Sequence, residues 1–330
     1  SESFATKFFI LFRYISLLIF PHPLSCDYGY NQIPYISLFS YKFIFSFLLI
    51  ITLAGIALFT FRSRSIFSFC ILYFFVTISI GTNFIADLGT LMAERMLFQP
   101  SLAICILFSV LYFQIKNKHK IFSGNILALV FVLFSIKTFA RNFDWKNNET
   151  LYLADVHSAP NSVRTNQYAS EWYLIKADAE PNMELKRTYF EKAIYYSECS
   201  LRIYPDNPTS LCDLGRAYSG VFDFIRSADC FEKAYKLKPD YPEIKTWMIT
   251  LSDILYKKGN GYYENDNFPE AIKYYKKAVQ LNENNTEAWY DLGVNYFLVN
   301  DSVDATKAWI EVKKLDPNHP LKKEEFWKKE

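Results

Sequence analysis

Charged residues are nearly missing from the first 140 positions of this 330-residue sequence. That stretch holds ten Lys or Arg and four Asp or Glu, whereas residues 141–330 hold 26 and 30. So uneven a composition excludes a single globular domain and a disordered chain. No concentrated basic face accompanies the net charge of +2, which excludes a nucleic-acid binder. The composition predicts a membrane region followed by a region of ordinary soluble composition.

The signatures of several enzyme classes are also absent. We find no glycine-rich phosphate loop, no Ser/His/Asp nucleophile set, and no metal-ligand spacing between the six cysteines and four histidines. We therefore expect no bound metal. Cys199, Cys212 and Cys230 would lie in an oxidising compartment under the topology given below. Both a disulfide among them and simple packing positions in helices stay open.

Long apolar runs fill the first 140 residues instead. A spanning helix needs about 20 mostly apolar residues, and three runs meet or approach that length: residues 43–61, 66–86 and 121–140. A fourth run, 101–115, is shorter. A fifth run, 4–20, has Arg13 at its middle. It either spans the membrane, with Arg13 as a functional charge, or lies in the membrane interface as an amphipathic helix. We expect a transmembrane bundle of four or five helices over residues 1–140.

The short loops predict the orientation of this bundle. Two of them are rich in Lys and Arg: the turn with Arg62 and Arg64, and the turn with Lys116, Lys118 and Lys120. Such loops stay cytoplasmic. Residues 21–41, residues 81–100 and everything after residue 140 are therefore expected on the other side of the membrane.

The second half of the sequence repeats itself every 34 residues. Five pairs of positions show this spacing: Gly259 and Gly293, Tyr262 and Tyr296, Ala271 and Ala305, Tyr275 and Trp309, and Pro205 and Pro239. This period and pattern are typical of tetratricopeptide repeats, which stack helix pairs into an α-solenoid. The predicted fold is therefore all-α, a multispan helix bundle followed by a tetratricopeptide solenoid.

Four repeat units are predicted between residues 161 and 320: 161–205, 207–241, 251–285 and 286–320. Residues 141–160 are predicted as a linker and 321–330 as a charged tail. The concave groove of such an array binds peptides or partner helices. The positions predicted to line it are Cys212, Arg216, Tyr256, Asn260, Tyr263, Tyr290 and Phe297. The array either binds a polypeptide there or only holds the membrane region in place.

An unusual group of charges lies in the loop 81–100, between two apolar runs. Asp87, Glu94 and Arg95 would be costly at this depth unless they are paired or functional. A guanidinium there can bind a phosphate in a bidentate manner. The alternative is an ion pair of Arg95 with Glu94 or Asp87 that fixes the loop.

Several motifs together resemble one known family. They are Arg13-Tyr14, Leu24-Ser25-Cys26-Asp27-Tyr28, Gly81-Thr82-Asn83, Leu91-Met92-Ala93-Glu94-Arg95, Arg141-Asn142, Asp144-Trp145 and Pro160-Asn161-Ser162. From about residue 4 to the end, the chain resembles the transmembrane and tetratricopeptide-repeat O-mannosyltransferases and their bacterial relatives. That family is similar to the multispan GT-C glycosyltransferases, which use a polyprenyl-phosphate sugar donor.

The resemblance implies transfer of mannose or another hexose to a Ser or Thr hydroxyl of a protein that the repeats present. It implies donor-phosphate or substrate contacts for Arg95, Glu94, Asp87, Arg13 and Asp27. The family's catalytic acidic pair lies in an earlier outer loop. We therefore expect the sequence to be the C-terminal part of a longer protein and the catalytic residues to lie upstream.

Two other functions stay open from the sequence. One is a non-enzymatic membrane scaffold whose repeats recruit partner proteins, and the other is a surface-polysaccharide ligase or polymerase. A ligase needs an outer loop rich in Arg and His, and residues 21–41 contain only His22. The expected location is the bacterial inner membrane with periplasmic repeats. The second choice is the endoplasmic reticulum membrane with luminal repeats.

Overall fold

The computed structural model describes residues 2–84, 91–116 and 120–321, and within these ranges it is helical with no β-strand. It divides into two compact units: residues 1–172 with 202–204, and residues 173–201 with 205–330. The first unit begins with five helices: α1 (Glu2–Ile19), α2 (Tyr41–Phe61), α3 (Ile66–Ile78), α4 (Ser101–Lys116) and α5 (Lys120–Asp144). The all-α prediction is confirmed.

Two helices of the described residues are long and apolar enough to cross a membrane. They are α2, with 21 residues, and the part of α5 from Gly124 to Asp144. Helices α3 and α4 are apolar but shorter. Ser40 caps α2, because its side chain accepts a hydrogen bond from the backbone N–H of Lys42.

The predicted single segment 66–86 is wrong in its length. Helix α3 ends at Ile78, and a 3₁₀ turn (Ile80–Thr82) follows, with Asn83 in the left-handed region at φ 55°. Tertiary contacts explain the early end. The Tyr14 hydroxyl donates to the Gly81 carbonyl, and a Cβ at Gly81 would lie 3.1 Å from Met96.

Helix α1 packs one face into the core of the first unit. Ile10, Leu11, Tyr14 and Leu17 are buried there, in one cluster with side chains from the following loop and from α2, α3 and α4. Residues 141–160, predicted as a linker, form the end of α5 and a further helix, α6 (Asn148–Ser158). Asn147 caps α6 through a reciprocal capping box with Thr150.

Four helix pairs follow. They are α7 (Val163–Ala179) with α8 (Met183–Ile203), α9 (Pro208–Gly220) with α10 (Phe224–Leu237), α11 (Pro242–Tyr263) with α12 (Phe268–Leu281), and α13 (Thr286–Leu298) with α14 (Ser302–Leu315). Side chains of Asn207, Asp223, Asn267, Asn285 and Asp301 accept hydrogen bonds at helix starts. The sequence thus marks where α9, α10, α12, α13 and α14 begin.

The 34-residue period has a direct packing reason. A Cβ added at Gly215 would lie 2.9 Å from the Phe231 ring, and one at Gly259 would lie 2.6 Å from the Tyr275 ring. A Cβ added at Gly293 would likewise overlap the Trp309 ring. Each glycine therefore makes room for the aromatic ring of its partner helix, which allows the two helices to pack closely.

Candidate functional site

A cluster of charged side chains joins distant parts of the first unit. Nη2 of Arg141, in the last turn of α5, lies 2.8 Å from Oε1 of Glu94 and 2.9 Å from Oδ1 of Asp155. Its Nη1 lies 3.0 Å from Oδ2 of Asp144. The side chain of Asp155 is only 1% exposed, so this carboxylate depends on Arg141 for charge compensation.

Further hydrogen bonds extend the cluster to the loop between α1 and α2. The indole N–H of Trp145 donates to Oε1 of Glu94 at 3.0 Å, and the backbone N–H of Cys26 donates to Oδ2 of Asp155 at 3.0 Å. Nearby, the buried carboxylate of Asp27 lies 2.9 Å from Nη1 of Arg164, at the start of α7. The loop is therefore fixed to α6 and α7 through its carboxylate and backbone groups.

Burial and negative charge set the protonation of the groups in this loop. Burial raises the pKa of the Cys26 thiol, and the hydrogen bond and charge of Asp155 raise it further. Burial also raises the pKa of Tyr28, with a contribution from the charge of Glu94. Both groups are therefore neutral at physiological pH.

An apolar cavity of about 790 Å³ lies between α4 and α5 and ends at this cluster. Its walls include Cys105, Phe108, Ser109, Tyr112, Phe113, Leu127, Val130, Phe131 and Phe134. Leu17 and Leu18 of α1 and Leu97 also contribute. The charged end carries Glu94, Lys137 and Arg141. From Leu127 to Arg141 the cavity follows α5 for about 21 Å, so it is shaped for a long apolar group with a charged head.

The structure brings four of the five predicted donor-site residues into one neighbourhood, and Asp87 lies outside the described residues. Arg13 and Glu94 are both within electrostatic range of the Tyr28 hydroxyl. Asp27 and Arg95 are within range of the Tyr14 hydroxyl. Glu94 pairs with Arg141, so the alternative in which Glu94 pairs with Arg95 is wrong. The side chain of Arg95 is exposed.

Sequence reasoning did not single out the centre of the cluster. Arg141, Asp155 and Trp145 belong to the predicted linker, and Lys137 belongs to the apolar run 121–140. Apart from Asp144, three positions from Arg141, their partners are 14 to 129 positions away, so no periodic pattern connects them. For Arg141 and Trp145 the available signal was their place in the motifs that carry the family resemblance.

Two of the predicted groove residues of the repeat unit form hydrogen bonds with side chains outside the predicted set. The Tyr256 hydroxyl donates to Asp291 at 2.9 Å, and the Tyr275 hydroxyl donates to Asn260 at 2.7 Å. Burial raises the pKa of Tyr256 to about 12, with a contribution from the charge of Asp291. These hydrogen bonds hold the polar side chains of α11 against α12 and α13.

The other predicted groove positions make ring and ion contacts. Arg216 pairs with Asp178 at 3.2 Å and lies over the Trp247 ring. The remaining ring contacts are Tyr263 with Phe268, Tyr290 with His319, and Phe297 with Trp309. Cys212 is buried, and among the described residues no disulfide joins Cys199, Cys212 and Cys230. No group of three metal-ligating side chains occurs in the part of the chain that the structure describes.

The fold defines the class of the protein, a unit with apolar membrane-type helices joined to a tetratricopeptide array. Residues 208–241 match the tetratricopeptide-repeat family, and residues 259–299 match a second TPR-repeat family. The repeat prediction is therefore confirmed by sequence as well as by the helix pairs.

Comparison with curated proteins confirms the predicted resemblance. The chain is 24% identical to the human protein O-mannosyl-transferase TMTC3 over 92% of its own length and 33% of that relative. It is 21% identical to Tmtc3 of Drosophila melanogaster, over 84% of the chain and 30% of the relative. Human TMTC1 is 29% identical over 35% of the chain and 12% of its own length. The chain thus spans about a third of the length of its TMTC3 relatives.

Solved structures resemble the chain only loosely. A MamA protein covers 57% of the chain and 91% of its own length at 18% identity, with a TM-score of 0.30. YrrB, a TPR protein with an unusual peptide-binding site, covers 63% of the chain and 93% of its own length at 14% identity, with a TM-score of 0.29.

Proposed function

We propose that the chain is part of a membrane-embedded protein O-glycosyltransferase that takes a hexose from a polyprenyl-phosphate donor. The observation that carries this proposal is the apolar cavity between α4 and α5, which ends at Lys137, Arg141 and Glu94. A polyprenyl phosphate has a matching shape, a long apolar tail with an anionic head. Its tail lies along Phe108 and Phe131, and its phosphate lies at the charged end.

In this proposal the exposed guanidinium of Arg95 contacts the donor phosphate. Oε1 of Glu94 accepts hydrogen bonds from Arg141 and Trp145, whereas its Oε2 is buried without a hydrogen-bond partner. Glu94 therefore pairs with Arg141 and not with its neighbour Arg95. A guanidinium stabilises the negative charge that develops on the departing lipid phosphate. Arg13 and Asp27 are the other proposed contacts on this side of the unit. The base that activates the acceptor hydroxyl is proposed to lie outside this chain.

The repeats are proposed to present the polypeptide acceptor. Tetratricopeptide arrays bind polypeptides in their concave groove, and Tyr263 is 41% exposed at one of its predicted positions. The location that follows is a membrane with the repeats on the non-cytoplasmic side. The bacterial inner membrane remains our first proposal and the endoplasmic reticulum the second.

Filling the cavity tests the donor proposal. In the full-length protein, Ser109→Trp places an indole inside the cavity and is expected to raise the KM for the polyprenyl-phosphate sugar about tenfold, equivalent to about 1.4 kcal/mol of lost binding. Leu111→Trp, on α4 outside the cavity lining, is the matched control and leaves the KM unchanged. The measurement is sugar transfer to a Ser/Thr-containing peptide at varied donor concentration.

An equal KM in both variants would contradict the cavity as the donor site. If the full-length protein transfers no sugar at all, the non-enzymatic scaffold becomes the better explanation.

A further inference from the structure

The polar contacts of α1 all lie near one end of the membrane unit. Near its start, the Thr6 hydroxyl accepts a hydrogen bond from the backbone N–H of Ile36 at 3.0 Å. Eight residues later, the Tyr14 hydroxyl donates to the Gly81 carbonyl and accepts from the Ala93 N–H, both at 3.2 Å. Those partners belong to the loop that precedes α2 and to the segment that follows α3. Both halves of α1 are therefore tied to connections at the same end of the helices.

The contacts between aromatic rings show how α1 meets α2. Phe8 contacts Phe43 and Phe47, with ring centroids 6.0 and 5.2 Å apart. Phe12 contacts Phe45 at 5.3 Å. Between positions 8 and 12, α1 advances about 6 Å, but its partners stay within the first seven residues of α2. Helix α1 therefore crosses the beginning of α2 and does not run alongside it.

That crossing coincides with one boundary of the hydrocarbon core. Helix α2 has 21 residues and is about 31 Å long, which equals the thickness of the core. Its far end is the turn that contains Arg62 and Arg64. The crossing point lies at the other end, beside Lys42, whose ammonium group lies 5.7 Å from the centre of the Phe9 ring.

Large apolar side chains are exposed at both ends of α1. Phe4 is 49% exposed, Ile19 57%, and Phe20, the residue after the helix, 69%. Tyr41 and Phe45 are exposed at the start of α2. Because α2 is long and apolar enough to face acyl chains, the exposed apolar side chains of α1 meet the same lipid at the level of the headgroups.

We propose that α1 lies in the lipid–water interface, on the side of the membrane opposite the Arg62 turn, with the exposed apolar side chains at its two ends in contact with lipid. Its partner is the bilayer surface. This placement decides between the two alternatives that the sequence leaves open for residues 4–20. It also puts Leu17 and Leu18 at the charged end of the cavity, at headgroup depth. The inference does not depend on the transferase activity.

Thiol labelling of the full chain in sealed membrane vesicles tests this placement. In a background without native cysteines, Ser3→Cys and Ser16→Cys mark the two ends of α1. Ser37→Cys and Ser63→Cys are the controls, in exposed positions at the two ends of α2. A membrane-impermeant maleimide is added from one side or from both. Ser3→Cys and Ser16→Cys are expected to react from the side that labels Ser37→Cys.

A spanning α1 gives a different pattern. Ser3→Cys would then react only from the side that labels Ser63→Cys, and this result overturns the proposal. Protection of Ser3→Cys from both sides places it in the hydrocarbon core and also overturns it. Labelling of Ser37→Cys and Ser63→Cys from the same side would show that α2 does not cross, which removes the boundary on which the proposal depends.

Discussion

A single guanidinium connects residues that are far apart in the sequence. Arg141 contacts Glu94, 47 residues earlier, and Asp155, 14 residues later. Removing one partner of a buried ion pair leaves an uncompensated charge, at a cost of about 3–5 kcal/mol. Arg95 is next to Glu94 in the sequence, but its side chain is exposed. The two arginines are therefore expected to respond differently to substitution.

Alanine substitutions in the full-length protein separate these roles. Arg141→Ala should lower the free energy of unfolding by about 3–5 kcal/mol, because Asp155 stays buried without a counter-charge. Arg95→Ala should abolish sugar transfer and leave stability unchanged, because an exposed side chain contributes little to folding. The measurements are the thermal unfolding midpoint in detergent and the transfer rate. Normal transfer by Arg95→Ala would show that Arg95 does not contact the donor.

Sequence reasoning reached part of this arrangement. Glu94 and Arg95 stood out because charges are rare beside apolar runs, and that argument needs no knowledge of the fold. The partner of Glu94 was not predictable in the same way. Arg141 is brought to Glu94 by the packing of α4 and α5, and a charged residue at the end of an apolar run has many candidate partners.

At the scale of single helices, α11 contains two glycines with opposite surroundings. Gly259 faces the Tyr275 ring, which is 1% exposed and held by its hydrogen bond to Asn260. Gly261, two residues later, is exposed and would have no atom within 4 Å of an added Cβ. Because both lie on one helix, they form a matched pair for testing the helix-packing explanation of the repeat.

Gly259→Ala is expected to lower the free energy of unfolding by about 1–3 kcal/mol, since the added methyl overlaps a ring that cannot move away. Gly261→Ala is expected to raise it by up to about 1 kcal/mol, because alanine favours the helix and meets nothing. The thermal midpoint of each variant is the measurement. Equal midpoints for the two variants would contradict close packing at Gly259.

The repeat pairs were predictable because the same contact between two helices recurs every 34 residues and requires the same residue types each time. Gly259 and Tyr275 have the same spacing as Gly293 and Trp309, so their contact could be inferred before the structure. The end of α3 was not predictable, because residues 79–86 contain no charged residue and no proline. That end depends on Gly81, Tyr14 and Met96, which meet only in the folded unit.

For the molecule as a whole, buried thiols and phenols contribute to the loss of folding stability at alkaline pH. Burial raises the pKa of Cys212 from 9.0 to about 12, with a contribution from the charge of Asp213. Between these values the unfolded chain loses the proton while the folded chain keeps it. Folding stability therefore falls as pH rises from 9 towards 12, by about 1.4 kcal/mol per pH unit for this thiol.

This effect is measurable as the thermal midpoint of the full chain between pH 8 and 11. The midpoint should fall above pH 9, and Cys212→Ala should reduce the slope although it lowers the midpoint at every pH. Cys105→Ala, at an exposed position, is the matched control. A Cys212→Ala slope identical to that of the unmodified chain would exclude this thiol as a cause.

The hydrogen bond between the Cys26 backbone and Asp155 joins residues 129 positions apart. A ribosome adds about 5–20 residues per second. Cys26 is therefore translated roughly 6–26 s before Asp155, which accepts its hydrogen bond. During that interval α2, α3, α4 and α5 are all synthesised. The loop can therefore form this hydrogen bond only after all four of these helices have been translated.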